Sequence, residues 1–270
     1  MYDSFSRHYD HFVNWENRLD FEMPFLVEKI KSTIPSTTDP IRILDAATGT
    51  GMHAITLAKE GFKTVGVDIS QGMIDAAREN AQRHTVETKF FTAGFGEIFG
   101  TLAAAEKEEG AAQVDRRLPF HAVLCLGNSL PHTEDRSALV EALRDFAQCL
   151  VPGGLLLLQN RNFDVVLSQK ERWMEPQTFL DDGQEYIFLR FYDFLPDGHI
   201  QFNIVTLRRT LQKEWQQSIL STRLFPLTRA VMLDALREAG FDQIREYGAL
   251  ADTPFQVEKS ANLVITAIKK

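Results

Sequence analysis

The sequence predicts an α/β chain: a doubly wound, mostly parallel seven-stranded sheet with an antiparallel last strand and an inserted antiparallel β meander. Three observations predict it. Short apolar runs alternate with helix-like segments over the first two thirds of the chain. A glycine-rich turn, Thr48-Gly49-Thr50-Gly51, joins an apolar run to the helix-like segment after it. Two strand-like runs follow the last helical segment, as a sheet closed by an antiparallel strand requires.

Each element has its own signal. Residues 1–40 read as an N-terminal helical lid segment. Ile41–Ala46 is a strand after the turn Thr37-Thr38-Asp39-Pro40, and Met52–Glu60 is a helix stopped by Gly61. Lys63–Asp68 is the next strand, and Ser70 caps a helix running to His84. Val86–Thr92 and Ala122–Leu126 are the third and fourth strands. Between them Thr101–Arg117, rich in Ala and Glu, reads as a surface helix and loop whose acidic run Glu106–Glu109 is a solvated face. A helix over Arg136–Leu150 leads through the turn Pro152-Gly153-Gly154 into a fifth strand, Leu155–Asn160. Two runs, EYIFLRFYDFL and HIQFNIVTLRRTL, flank the turn Pro196-Asp197-Gly198, and a third, EWQQSILSTRLF, precedes Pro226. Thr228 caps a helix ending at Glu238, which Gly240 stops, before strands at Phe241–Ala249 and Ala261–Lys269. The domain reading is thus a nucleoside-binding domain of residues 41–165 and 226–270, with residues 166–225 inserted as a β cover over the substrate.

Composition narrows the function. The chain has 270 residues, 44% of them hydrophobic, which excludes disorder. Its 37 acidic against 29 basic residues, a formal net charge of −8, disfavour a nucleic-acid partner. No apolar run approaches the roughly 20 residues of a membrane helix, and the segment MYDSFSRHYDHF has no apolar stretch to serve as a secretory signal. Cys125 and Cys149 are the only cysteines, too few for a disulfide framework or a zinc site, so a cytoplasmic location and no metal are expected. The 20 phenylalanines imply a large core or an apolar cleft.

The chemistry concentrates at the strand ends. A glycine turn between a strand and a helix lets a ligand approach the backbone and the helix N-terminus. Asp68, at the end of the second strand, is placed to accept both hydroxyls of a ribose, and its distance from Asp45 (68 − 45 = 23 residues) suits one strand–helix–strand unit. A turn that merely packs helix against sheet would need no such acid. Two cofactor classes fit. Gly49-x-Gly51-x-x-Ala54 matches the dinucleotide fingerprint, so an NAD-dependent oxidoreductase is one reading. Asp45 favours S-adenosylmethionine, because a carboxylate before the loop suits a cationic ligand and repels a pyrophosphate.

Over residues 41–270 the sequence resembles the class I S-adenosylmethionine-dependent methyltransferases, and most of all the glycine N-methyltransferase group. Four segments carry the resemblance. Asp45-Ala46-Ala47-Thr48-Gly49-Thr50-Gly51 has Ala where most class I members have their first glycine. Cys125-Leu126-Gly127-Asn128-Ser129, followed by His132, is similar to that group's fourth-strand motif. Asn160-Arg161-Asn162-Phe163-Asp164 is similar to its fifth-strand exit, with Phe163 in place of Tyr. Arg18-Leu19-Asp20-Phe21-Glu22 lies where the group keeps an N-terminal arginine. The turn Leu150-Val151-Pro152-Gly153-Gly154 is also habitual in methyltransferases.

The resemblance implies that Ala47, Gly49 and Gly51 line the methionine part of the donor, Asp68 the ribose, and Ile69 and Met73 the adenine. Gly94-Phe95 stands where the family places a polar or acidic adenine contact, implying a backbone and ring contact instead. Leu126 and Asn128 would lie below the donor and Arg18 against its carboxylate, with Tyr9 and Trp15 closing over it. Asn128, His132, Arg161 and Tyr192 would face the acceptor, Arg161 holding a carboxylate through its planar fork. Plainer roles compete: a turn cap for Asn128, a surface arginine for Arg161, a helix ion pair for Arg18, a solvated His132, and apolar helix positions for Tyr9 and Trp15. No Cys/His or Ser/His/Asp constellation suggests a dedicated catalytic residue. A deprotonated amine needs none, since orientation and exclusion of water carry the transfer. The expected function is methyl transfer to a small amine or amino acid such as glycine or sarcosine, by a chain that can form homo-oligomers. An O-methyltransferase of a small carboxylate or hydroxyl metabolite, the oxidoreductase and a non-catalytic donor-binding protein remain alternatives.

Overall fold

A computed structural model describes residues 13–35, 39–108, 118–181, 183–210 and 213–270. Helix α1 (Trp15–Thr33) comes first, capped by the Asn14 side chain, which accepts from Asn17 N–H. The parallel part of the sheet follows as β1 (Arg42–Ala46), α2 (Met52–Lys59), β2 (Lys63–Asp68), α3 (Gln71–Arg83), β3 (Lys89–Thr92), α4 (Ile98–Glu108), β4 (Phe120–Cys125), α5 (Arg136–Cys149) and β5 (Leu150–Arg161). A short helix, α6 (Phe163–Gln169), leads to β6 (Gln177–Asp181), β7 (Gln184–Phe194), β8 (Ile200–Thr210) and β9 (Gln216–Leu224). Helix α7 (Arg229–Glu238) and strands β10 (Phe241–Ala249), β11 (Ala251–Pro254) and β12 (Asn262–Lys269) complete the described chain.

The main sheet has the order β11-β10-β12-β5-β4-β1-β2-β3. Strands β1 to β5 are mutually parallel, and β12 runs antiparallel to both β5 and β10. The seven expected strands and the reversed last one are therefore present, and β11 adds an eighth as the edge partner of β10. Strands β1, β4 and β5 carry consecutive buried apolar residues (Ile43-Leu44, Ala122–Cys125 and Leu155–Leu158) because both faces of a parallel sheet are covered. Met23, Leu26 and Ile30 of α1 pack with Ala122, Leu124, Leu155 and Leu157 in one cluster. Leu139, Leu143 and Phe146 of α5 join Met232 and Leu236 of α7, Val123, Leu156 and Leu158 in another.

Several boundaries differ from the expected ones. The third strand starts at Lys89 because Thr85, at φ +54, and Val86, whose N–H reaches Ala81 O, are spent ending α3. The fourth strand starts two residues early, at Phe120, and ends at Cys125. The fifth extends back to Leu150: the Pro152-Gly153-Gly154 turn is absorbed as an irregularity, with Phe120 opposite Leu150 and Ala122 opposite Leu155. The Ala/Glu-rich stretch is not wholly superficial. Ile98 and Leu102 of α4 are buried, and both carboxylate oxygens of Asp145 accept from the N–H groups of Ile98 and Phe99, at 2.8 and 2.9 Å. Residues 109–117, including the end of the acidic run, lie outside the described residues.

The meander forms a separate antiparallel sheet in the order β6-β7-β8-β9; β6 and the preceding α6 were not expected from the sequence. Period-two alternation puts Tyr186, Phe188, Arg190 and Tyr192 on one face with Phe202, Ile204, Leu220 and Thr222. Tyr192, Ile200 and Leu224 belong to the same buried cluster as the helices α5 and α7, so the meander's inner face at this end is anchored on the main domain.

The capping of α4 by a buried carboxylate yields a stability prediction. Asp145→Ala leaves two N–H groups at a helix start without acceptors and should cost about 2 kcal/mol of unfolding free energy. Urea titration measures it; a loss below about 0.5 kcal/mol would mean that the cap contributes little.

Candidate active site

The carboxyl ends of β1, β2, β4 and β5 meet at one rim of the sheet, the place where doubly wound folds bind ligands. The turn after β1 is built for close approach. Ala47 sits at φ +65, Gly49 at +56 and Gly51 at +81. Ala47 pays the strain of an L-residue in the left-handed region, of order 1 kcal/mol. A Cβ on Gly49 would meet nothing within 4 Å, so this position is open toward a ligand. Gly51 is glycine for a different reason: a Cβ there would lie 2.9 Å from Ala77 Cβ and from the Phe90 ring. It lets α2, α3 and β3 pack, and its α-carbon faces the core rather than the rim.

Two acids hold this turn. Asp68 accepts from Gly49 N–H through one carboxylate oxygen and from Ser70 N–H through the other, both at 2.9 Å. It thereby joins the glycine turn to the start of α3 while remaining half-buried. Asp45 is only 2% exposed and accepts from Thr48 Oγ1 at 2.7 Å. Burial raises its pKa, opposed by His53, Thr48 and the Ala54 N–H. Asp45 thus braces the loop from beneath instead of presenting its charge at the rim.

Beside Asp68, Ile69 is 73% exposed, an apolar side chain lying at the strand tip. Its Cδ1 would be 3.4 Å from a Cβ on Gly94, and Glu97 Oε2 would be 3.7 Å from that same point. Glu97, three residues beyond Gly94 at the turn into α4, thus brings a carboxylate near Gly94 on the side of Ile69. Met73 is buried on the inner side of α3, and Phe95 stands edge-on to Phe146 at 5.7 Å. Met73 thus serves packing, and Phe95, only partly buried, sets one edge of its ring on the core beside Gly94.

From the other side, Arg18 of α1 reaches the turn after β4, its Nη2 3.9 Å from where a Gly127 Cβ would stand. Its Nε donates to both Glu22 oxygens at 3.1 Å, and its guanidinium lies 5.2 Å from the centre of the Trp15 ring. Leu126 is buried in the α1 cluster. Tyr9 lies outside the described residues.

The acceptor end centres on β5. Asn128, at φ +64, accepts from Arg161 N–H at 2.9 Å and donates its own N–H to Gln159 O at 3.1 Å. It fixes the β5 exit, so a turn role for Asn128 holds whatever else it contacts. Arg161 Nη2 pairs with Glu171 at 3.0 Å, while its Nε is buried without a hydrogen-bond partner among the described residues, as are both amide atoms of Asn160. Tyr192, buried between Phe163 and Phe202, has its phenol pushed up to about 12 by burial and is protonated at neutral pH. His132 lies 3.5 Å from Thr222 Oγ1, and burial lowers its pKa to about 4, so it is a neutral imidazole there. Of the residues singled out from the sequence, the structure ties Asp68 to the glycine turn and brings Asn128, Arg161 and Tyr192 together at the exit of β5. The helix ion pair expected for Arg18 is made with Glu22, while His53, Glu97 and Glu171, which no motif marks, are placed near these residues only by the folded chain. Among the described residues, no group of three His, Cys, Asp or Glu side chains is placed to hold a metal.

A strained turn open at Gly49, an acid bridging it to the next helix, and an exposed apolar side chain beside that acid define a nucleoside-binding rim. Residues 43–154 match the family model of a methyltransferase domain, and the chain is an S-adenosylmethionine-dependent methyltransferase. This sets aside the dinucleotide alternative. Within that class the chain is similar to the glycine/sarcosine N-methyltransferase of Aphanothece halophytica, at 29% identity over 94% of this chain and 84% of that protein. It is also similar to the glycine N-methyltransferase of Rattus norvegicus, at 34% identity over 47% of this chain and 42% of that one. The fold matches that of an S-adenosylmethionine-dependent methyltransferase from Clostridium acetobutylicum, with a TM-score of 0.74 at 15% identity, covering 99% and 98% of the two chains.

The half-buried, neutral His132 generates a pH prediction. The unfolded chain takes up a proton near pH 6.5 that the folded chain refuses until about pH 4. Stability should therefore fall as pH drops through that window, by up to about 3 kcal/mol. Glu22, whose pKa is lowered by His53 and Arg18 against its burial, adds a loss only at more acid pH. Denaturation of His132→Gln at pH 7 and pH 4.5 should show a flatter acid limb; an unchanged slope would place the titration elsewhere.

Proposed function

We propose that this methyltransferase acts on a small amino acid or a related amine-bearing acid of the glycine or sarcosine type. The single observation that carries the reading is Arg161: a guanidinium at the tip of β5, anchored through its backbone by Asn128, with a buried Nε–H that has no acceptor among the described residues. A carboxylate suits that donor, and an arginine at a strand's carboxyl end lies where such folds hold substrates. The similarity to N-methyltransferases of glycine and sarcosine points to the same acceptor class.

When bound, S-adenosylmethionine supplies the methyl group on a cationic sulfur. The chain's residues fit it: the open Gly49 and the Ala47 turn would hold its methionine part, Asp68 the ribose hydroxyls, Ile69 and Glu97 the adenine, and Arg18 the carboxylate. Arg161 would anchor the acceptor, with Asn128 Nδ2 and the protonated Tyr192 phenol as further donors. The aromatic inner face of the meander, including Phe202, excludes water from the transfer. Since the amine arrives deprotonated, no general base is assigned, and the neutral His132 lines the acceptor side without accepting a proton at neutral pH. The N-terminal segment with Trp15 would close over the donor.

We also propose a cytoplasmic enzyme without nucleic-acid partners, in keeping with the net charge of −8. Among the described residues no helix is long and apolar enough to cross a membrane. Self-association is proposed through the outer face of the meander, where Leu180 and Ile219 are largely exposed and Leu189 and Val205 lie in register with Ile219. Light scattering should report an assembly larger than one chain, and Ile219→Asp should reduce it; a wild-type mass of a single chain refutes the assembly.

Arg161→Ala should lower kcat/KM for the acceptor by more than about tenfold, while affinity for S-adenosylhomocysteine stays near wild type. Arg161→Lys should recover part of the loss, since an ammonium lacks the planar fork. Steady-state kinetics with calorimetry decide between outcomes. Lost donor binding assigns Arg161 to the donor, and no change in either refutes a carboxylate-bearing acceptor.

A further inference from the structure

The N-terminal helix is tied to the start of α2 by a polar cluster in which buried Glu22 and His53 meet the half-buried Arg18. Glu22 of α1 has a side chain only 8% exposed and faces His53, in the first turn of α2, across 2.6 Å between Oε2 and Nε2. The same carboxylate receives Arg18 Nε on both oxygens at 3.1 Å. Trp15 completes the cluster: its ring lies 5.2 Å from the Arg18 guanidinium carbon and stands edge-on to His53 at 5.5 Å. Arg18 is therefore held at Nε by a carboxylate and flanked on one face by an indole. Its Nη2 is the nitrogen nearest the turn after β4, 3.9 Å from the Gly127 Cβ position.

We propose that Glu22 and His53 are positioning residues for donor binding: they hold Arg18 so that its terminal nitrogens face the carboxylate of the donor's amino-acid tail. This rests on the assignment of Arg18 to that carboxylate made above. Three features of the cluster carry the proposal. Burying the polar Glu22 and His53 side chains costs desolvation that apolar side chains of similar volume would not, so docking α1 onto α2 does not by itself call for the cluster. The cluster joins the two elements that must agree on the donor's position: α2, which begins at the glycine turn, and α1, which supplies the arginine. Glu22 contacts Arg18 through Nε alone, which fixes the direction of the planar fork and leaves the two terminal nitrogens to a second carboxylate.

The charged groups acting on the pair are Arg18 on α1, which faces Glu22, and Asp45 at the end of β1, which faces His53. Asp45 is bound to the glycine turn through Thr48. Arg18 is thus the group through which a change at Glu22 or His53 reaches the donor's tail.

The test compares two ligands by calorimetry. S-adenosylhomocysteine carries the amino-acid tail, and 5′-methylthioadenosine lacks it. Glu22→Gln should weaken the first by about tenfold and leave the second within about twofold. His53→Gln, which keeps the Arg18–Glu22 pair, should give a smaller shift of the same kind, and serves alone if Glu22→Gln does not fold. Arg18→Met should show the full tail-selective loss, and Glu22→Gln added to it should cost nothing more. Equal weakening of both ligands makes the cluster a structural clamp and overturns the proposal, as does unchanged affinity for both. If Arg18→Met leaves the ratio of the two affinities unaltered, the assignment of Arg18 to the donor falls, and the positioning role with it. If Arg18→Met shifts that ratio while Glu22→Gln and His53→Gln do not, the positioning role alone falls.

Discussion

The active end of this molecule depends on one carboxylate. Asp68 accepts from the N–H of Gly49 and from that of Ser70, so the turn after β1 and the start of α3 are cross-linked by a single side chain at the tip of β2. Backbone at positive φ on Ala47, Gly49 and Gly51 would otherwise be a mobile strained loop, because each such residue loses conformational freedom or pays steric energy to be there. Phe90 secures the same turn from below, its ring filling the space that side chains on Gly51 and Gly66 would need. The donor surface is consequently in place before anything binds, and ordering it is not charged against affinity.

The acceptor end is organised differently. Its frame is also backbone: Asn128 receives the Arg161 N–H, and the Gln159 side chain receives that of Gly127, so the exits of β4 and β5 are tied to one another. Its cover, however, comes from a second sheet reached through α6 and attached to the main core along the Tyr192, Ile200 and Leu224 end. Chemistry that needs orientation and dryness more than proton transfer suits such a division, with rigid turns below and an aromatic face above. The ion pair between Arg161 and Glu171 adds a local competitor for the guanidinium. An acceptor carboxylate must share Arg161 with Glu171 or displace it, and the bridge is exposed enough that displacement costs little.

Much of this was legible in the residues. The strand and helix order, the glycine turn, the acid at the tip of β2, the reversed last strand and the three long meander strands each have a local cause: a period, a cap or a turn residue. The errors have physical reasons too. Pro152-Gly153-Gly154 has the chemistry of a turn, but pairing of Phe120 with Leu150 beyond it carries the strand through. Thr101–Arg117 has the composition of a surface, yet Leu102 is buried because the helix holding it begins earlier, at Ile98, where Asp145, more than forty residues away in sequence, caps it.

By itself the sequence determined what short-range physics can specify: which segments are helix or strand, where backbone at positive φ is required, and that an acid would stand at the end of β2. Tertiary structure decided which distant side chains share a space. Glu22 with His53, Glu97 beside Ile69, and Glu171 on Arg161 are pairings across elements, made by the order of strands and the angles of helices. The contrast between Gly49 and Gly51 is the plainest case. Two residues apart in one motif, they differ because one α-carbon faces open space and the other faces Phe90, and only the packing of α3 and β3 against the turn makes that difference.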